Sequence, residues 1–285
     1  MSGDLQAQLD ARNADIVALR QELDETNRGV VALYAELDDK AAALREATEL
    51  KSRFLSYMSH EFRTPLTSMT SITGILLSKL DGPLTPEQQK QLEFIRGSVR
   101  ELTEMVNDLL DLAKVEAGRI TISPEWFEMV DLFAALRGMF KPIVASTAVS
   151  LVFDEPEGEI KMYTDDKKLS QILRNFISNA LKFTPVGEVR VSARVLDEQT
   201  VEFAVTDTGI GIAAEHLPNL FADFVQLDVR IQKRLRGSGL GLSLARKFAD
   251  LLSGSVSVTS ELGTGSRFSV VLPMRLDGAT EKVMA

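Results

Sequence analysis

His60 lies in the run Met58-Ser59-His60-Glu61-Phe62-Arg63-Thr64-Pro65-Leu66 and is one of two histidines in the chain. A free imidazole titrates near pH ~6.5, so much of it is neutral and nucleophilic near neutral pH. Glu61 can accept the proton from the ring nitrogen that does not attack, which fixes the tautomer and raises nucleophilicity. Arg63 can steady phosphate charge, although an exposed helical arginine is the commoner case. Pro65 removes an amide donor and should bend the helix just beyond the nucleophile. His216, in Ala214-Glu215-His216-Leu217, has no such setting and reads as a surface helix residue.

Three patches far downstream offer a reactant for that nucleophile. In Asn175-Phe176-Ile177-Ser178-Asn179-Ala180-Leu181-Lys182-Phe183-Thr184, the spacing puts Asn175, Asn179 and Lys182 on one helix face. An amide oxygen is a hard neutral ligand suited to Mg²⁺, and a lysine beside it can meet phosphate charge. Asp207-Thr208-Gly209-Ile210-Gly211-Ile212 follows a β-rich run, where an aspartate can accept a hydrogen bond from an exocyclic amine such as that of adenine. Its glycines let backbone approach a ligand closely. Gly237-Ser238-Gly239-Leu240-Gly241-Leu242 opens a helical pattern, presenting free N–H groups and the positive dipole end to phosphates. It is neither a dinucleotide fingerprint nor a P-loop, because no first βαβ strand precedes it and no Lys-Ser or Lys-Thr follows. Each patch alone also fits ordinary caps and turns. A lone nucleophile far from a phosphate cradle points to phosphoryl transfer between two modules.

The elements that must position these groups are legible in the patterning. A heptad seam runs over 5–58 through Leu5, Leu9, Ile16, Leu19, Leu23, Val30, Leu33, Leu37, Leu44, Ala47, Phe54 and Met58, interrupted by Arg12, Thr26, Lys40 and Lys51. A seam this long reads as a coiled coil, with a single long helix packed on a globular partner as the alternative. With Met58 at an a position, His60 falls at c, facing solvent. A turn is expected at Leu80-Asp81-Gly82-Pro83, and Thr85-Pro86-Glu87 starts a second helix with threonine as N-cap. Its seam is Leu92, Ile95, Val99, Leu102, Val106, Leu109 and Ala113. Two such antiparallel helices form a hairpin, and two hairpins form a dimeric antiparallel four-helix bundle. After Gly118 the texture changes. Strands are expected at 119–123, 149–153, 187–195, 200–206, 254–260 and 266–272, with helices near 131–147, 166–183 and 239–253.

Composition narrows the classes. The 285 residues leave room for about two domains. A net charge of −9 without a basic run argues against nucleic acid as a partner. The absence of cysteine excludes thiolate chemistry, thiolate metal sites and disulfides. No apolar stretch is long enough for a membrane span, and Met-Ser-Gly-Asp does not open a signal peptide, so a cytoplasmic location is expected. The N-terminus can equally lie inside a longer protein.

The order and spacing of the motifs resemble those of sensor histidine kinases. Residues 59–66 are similar to the family's phosphoacceptor motif, 175–184 to its asparagine box and 207–212 to its first glycine box. Leu220-Phe221-Ala222-Asp223-Phe224 resembles its phenylalanine box, and 237–242 its second glycine box. The likeness covers roughly residues 50–273, and residues 5–50 resemble the family's signalling helix. It implies a multidomain chain: an N-terminal parallel coiled coil (1–53), a dimerisation and histidine phosphotransfer domain (54–120), an α/β two-layer sandwich of the GHKL (Bergerat) type (121–277), and a tail (278–285). It further implies ATP and Mg²⁺, with Asn179 on the metal and Asp207 on adenine. Asn175 and Lys182 would lie near the phosphates, with Gly209, Gly211, Gly237, Gly239, Leu240 and Gly241 lining the lid and phosphate site, and Ser266 as the hydroxyl near adenine. Arg236 stands where many members have glycine.

The activity so implied is autophosphorylation of His60 and transfer to an aspartate of a response-regulator receiver domain, by a homodimer whose upstream sensor is missing or separate. Glu61 to Thr64 matches a Glu-x-x-Thr pattern that the family associates with phosphatase action, the threonine orienting a water; that Thr64 merely precedes a proline is the alternative. Rotation or tilt of the coiled coil would gate access to His60. Competing readings are a GHKL ATPase of another kind, such as a chaperone or an anti-sigma serine kinase, and a scaffold that binds without turnover.

Overall fold

A computed structural model describes residues 2–80, 82–145, 148–155, 158–226 and 239–276. The chain divides into two units, Met1–Phe54 and Leu55–Ala285. Helix α1 (Ser2–Leu77) forms the first and continues into the second. Its seam residues Ile16, Leu19, Leu23, Val30, Leu33, Leu37 and Leu44 are 46–70% exposed. The side chains of Leu5 and Leu9 lie outside the described residues. Among the described residues of α1, only Leu66 and Thr73 are buried. The helix runs through Pro65, whose missing N–H deprives the Glu61 carbonyl of its helical donor.

Helix α2 (Pro86–Glu116) starts where its capping signal predicts. Thr85 Oγ1 accepts from the Gln88 amide at 3.2 Å, and Gln88 Oε1 accepts from the Thr85 amide at 2.9 Å, satisfying two orphan donors reciprocally. Of its seam, Ile95 and Leu102 are exposed, Leu92, Val106 and Leu109 are half-buried, and Val99 and Ala113 are buried, as are Leu110 and Leu112.

The remainder is a helical layer on a mixed sheet. The strands are β1 (Glu125–Glu128), β2 (Ala148–Phe153), β3 (Lys161–Thr164), β4 (Val186–Val195), β5 (Thr200–Asp207), β6 (Ser255–Glu261) and β7 (Gly265–Pro273). The five-stranded sheet has the order β2-β4-β5-β7-β6, antiparallel except for β2 with β4, and β1 pairs antiparallel with β3 beside it. Helices α3 (Met129–Val144), α4 (Asp166–Phe183) and α5 (Gly241–Leu251) pack on one face. Period-two alternation sends Val189, Val191, Val201, Phe203, Val205, Phe268, Val270 and Leu272 inward against Leu169, Ile172, Phe176, Leu244 and Phe248. The other face carries polar groups such as the Glu202–Arg267 pair at 2.9 Å.

Two strand expectations need correction. Residues 119–123 form no strand: Ile120 and Ile122 alternate because an extended segment packs them on the core, and the Ser123 amide donates to Asp165 Oδ2 at 3.0 Å instead of to a ladder. Strands β1 and β3 were not expected, since four residues are too few to show an alternation. Helix α5 ends two residues before the expected bound, within the usual spread of helix ends.

Candidate nucleotide site

Asp207 ends β5, and its side chain is buried although it is a carboxylate. The Gly209 amide donates to its Oδ1 at 2.8 Å. Burial pushes its pKa up, opposed by the amides of Gly209 and Ser266 and by the nearby Thr184 hydroxyl. No cation approaches it among the described residues. A charge held this way is expensive, which marks a position kept for a ligand rather than for stability.

The first glycine box wraps around this carboxylate. The Ile210 amide donates to the Phe183 carbonyl at 3.2 Å, and the Ile210 carbonyl accepts from the Gly263 amide at 2.8 Å. A Cβ on Gly209 would overlap the Phe183 carbonyl, and one on Gly211 (φ +66) would overlap the Glu261 carbonyl. These glycines therefore serve close approach of backbone to backbone. The sequence alone suggests approach to a ligand, whereas the groups approached are carbonyls of the chain itself. Gly265 (φ +130) likewise abuts the Asp207 carbonyl.

Ser266 faces Asp207 in the β5–β7 register. Its hydroxyl is 3.0 Å from Ser260 Oγ, which accepts from the Ile212 amide at 2.8 Å and donates to the Gly265 carbonyl at 2.8 Å. Thr184 follows α4 and is buried, with its hydroxyl beside the Asp207 carboxylate. Neither Ser260 nor Thr184 stood out in the sequence. The signal for Ser260 was its place on the inward face of β6, two residues after Val258.

Helix α4 supplies the polar face. Asn175 Nδ2 donates to the Gly241 carbonyl at 2.9 Å, tying α4 to the start of α5. Asn179, half-buried one turn on, makes no side-chain hydrogen bond among the described residues. Burial lowers the Lys182 pKa, with Glu101 of α2 opposing, and its ammonium lies 5.4 Å from the Phe183 ring centre. In the second glycine box Gly237 lies outside the described residues. Gly239 (φ +70) packs against the Val225 carbonyl, Leu240 is buried, and Gly241 begins α5. No side chain caps α5, so its first-turn N–H groups stay available to an anion.

His60, Glu61, Arg63 and Thr64 are exposed on α1. Thr64 Oγ1 donates back to the His60 carbonyl at 3.3 Å. Among the described residues, no hydrogen bond or ion pair joins the His60 side chain to the nucleotide residues. The end of α2 does touch the sandwich. Gln171 Nε2 donates to Asp111 Oδ2 at 3.1 Å, and Lys247 Nζ lies 3.4 Å from Glu116 and 3.2 Å from Asp223. Nothing in the sequence announced that lysine. In the phenylalanine box, Phe221 packs edge-on against Phe268, while Phe224 is exposed at φ +62. His216 is exposed in a short 3-10 turn, 3.6 Å from Glu215.

Two family models match parts of the chain. The family described as "Histidine kinase-, DNA gyrase B-, and HSP90-like ATPase" matches residues 164–276, and the "His Kinase A (phospho-acceptor) domain" matches residues 50–118. The autoinducer 2 sensor kinase/phosphatase LuxQ of Vibrio parahaemolyticus is 35% identical over 242 residues, 82% of this chain and 28% of LuxQ. The histidine protein kinase DivJ of Caulobacter vibrioides is 38% identical over 227 residues, 79% of this chain and 38% of DivJ. The crystal structure of full-length ShkA in complex with AMPPNP superposes with a TM-score of 0.62 at 32% identity, covering 78% of this chain and 45% of ShkA. The chain thus spans less than half the length of each of these relatives. No described helix is long and apolar enough to cross a membrane.

Proposed function

The chain belongs to the sensor histidine kinases, and on that premise we propose that it transfers the γ-phosphoryl group of ATP to His60 and then to an aspartate of a separate response-regulator receiver domain. The observation that carries the reading is the buried carboxylate of Asp207, which no cation approaches among the described residues. Asp207 accepts the exocyclic amine of the base. The first amides of α5, with Lys182, meet the phosphates. Asn179 keeps its amide oxygen for Mg²⁺. Asn179 is the residue that would hold the ion, which would supply charge neutralisation to the phosphates. When bound, the ion neutralises charge building on the transferred group.

His60 attacks in line, and Glu61 takes the proton from its other ring nitrogen, leaving a phosphoramidate and ADP. Thr64 releases its 3.3 Å bond to the His60 carbonyl to orient water when the partner's phosphoaspartate is hydrolysed. The exposed seam of α1, with Ile95 and Leu102 exposed on α2, supports a homodimer, in which residues 1–53 form a parallel coiled coil and residues 54–120 a four-helix bundle. The sandwich (121–277) delivers ATP to that bundle, on the cytoplasmic side and under an upstream sensor.

The test is incubation with γ-labelled ATP and Mg²⁺. Acid-labile, base-stable label is expected on the wild type and absent from His60→Gln. ATP hydrolysis without such label would make the protein a GHKL ATPase of another kind, and absence of nucleotide binding would make it a scaffold.

A further inference from the structure

Helix α2 has two unlike sides. Val99, Val106, Leu110 and Ala113 recur at helical spacing on its apolar side. On the opposite side Glu101, Asp108 and Val115 follow one another at sevens, with Asp111 three residues after Asp108. This acidic side meets the sandwich. Val115 packs on its core, and Asp111 Oδ2 accepts from Gln171 Nε2 of α4 at 3.1 Å. At the end of α2, Glu116 lies 3.4 Å from Lys247 Nζ of α5, which also holds Asp223 at 3.2 Å. Towards the other end of α4 the Glu101 carboxylate acts on Lys182, opposing the lowering of the ammonium's pKa by burial. Going back along α2 from Asp111 to Glu101, the partner moves forward along α4 from Gln171 to Lys182, so the two helices run in opposite directions.

The side of α4 that α2 approaches is the side that faces the nucleotide. Gln171, Asn175, Asn179 and Lys182 follow at steps of four, four and three, which places them on one helix face. Lys182 is therefore claimed twice, by Glu101 and by the phosphates. A carboxylate and a phosphate repel each other at a shared cation, and the half-buried setting of Lys182 limits screening of that repulsion by water.

We propose that the acidic side of α2 is an autoinhibitory strap, which docks the sandwich through Gln171 and Lys247 and competes through Glu101 with the nucleotide's phosphates for Lys182. The proposal rests on the nucleotide reading of α4. Phosphates that reach Lys182 expel Glu101 and loosen α2. By reciprocity, any movement that draws α2 away tightens the nucleotide by the same factor.

The experiment measures Kd for ADP and for adenosine, which has no phosphate, by calorimetry on the full chain. Glu101→Gln is expected to tighten ADP about threefold, as for one partly screened ion pair, and to leave adenosine within about 1.5-fold. Glu116→Gln, which loosens the Lys247 anchor, is expected to tighten ADP about twofold. Glu198→Gln removes an exposed carboxylate between β4 and β5 and controls for net charge; it is expected to change neither ligand. The chain has no cysteine, so spin labels on Asn107→Cys and Asp250→Cys report the separation of α2 and α5 alone. Saturating ADP is expected to shift that distance distribution outward. An ADP gain in Glu101→Gln no larger than in Glu198→Gln, an equal gain for adenosine, or labels that ADP does not move would overturn the strap and leave the nucleotide reading standing. Failure of wild type to bind ADP would overturn both.

Discussion

Gly211→Ala puts the architecture of the first glycine box to a quantitative test, with Gly263→Ala as its control. Both glycines have positive φ, +66 and +85, where a non-glycine residue is strained by roughly 1–2 kcal/mol. At Gly263 a new methyl meets nothing within 4 Å, so strain is the whole effect. At Gly211 the methyl overlaps the Glu261 carbonyl oxygen, which belongs to the backbone of the β6–β7 turn and cannot swing aside. Relief requires moving that turn, which breaks the 2.8 Å bond from the Gly263 amide to the Ile210 carbonyl, about 1 kcal/mol more. With lost packing, Gly211→Ala should destabilise by about 3–4 kcal/mol and Gly263→Ala by about 1 kcal/mol. At ~2–4 °C per kcal/mol for a domain of this size, the melting temperatures should fall by about 10 °C and about 3 °C. Calorimetric melts of the nucleotide-free protein read both values. Equal shifts would refute the argument, since they would mean that ligand approach rather than backbone approach explains the glycine.

Asp207→Asn should raise the stability of the nucleotide-free protein near neutral pH. The wild-type carboxyl has a folded pKa above its unfolded one, so its stabilising contribution is present at low pH and lost as pH rises through the folded value. The gap between variant and wild-type melting temperatures should therefore close towards acid pH. A variant less stable at pH 7 would contradict the desolvation account. The same substitution should weaken ATP by about 30-fold, the loss of one charge-assisted hydrogen bond, in a calorimetric titration. Thr64→Ala should slow hydrolysis of the response regulator's phosphoaspartate at least about tenfold while His60 labelling stays within about twofold. Undiminished phosphatase activity would return Thr64 to a helix residue that merely precedes Pro65.

Local signals carried far where they were complete within a few residues. The Thr85 cap, the solvent-facing position of His60 and the limits of α4 follow from side-chain chemistry and helical period, and the structure shows all three. The core strands were readable because each is long enough to alternate. β1 and β3 were not, and Ile120 and Ile122 mimicked a strand because packing alone imposed the alternation. The site was legible as motifs and opaque as geometry. That Asn175 is spent on the Gly241 carbonyl and that the Thr184 hydroxyl lies beside Asp207 both depend on contacts between segments tens of residues apart.

The exposed stripe of α1 has a kinetic consequence. A helix of 76 residues with so few buried side chains among the described ones draws little packing from its own chain, and in proteins packing of an apolar face supplies most helical stability. In the proposed dimer, ordering and association become one event governed by protein concentration. Exchange of subunits between two formed dimers then requires melting of both helices along the stripe, so dimers of different age or phosphorylation history would mix slowly. The lasting carrier of a signalling state would be the pair rather than the chain.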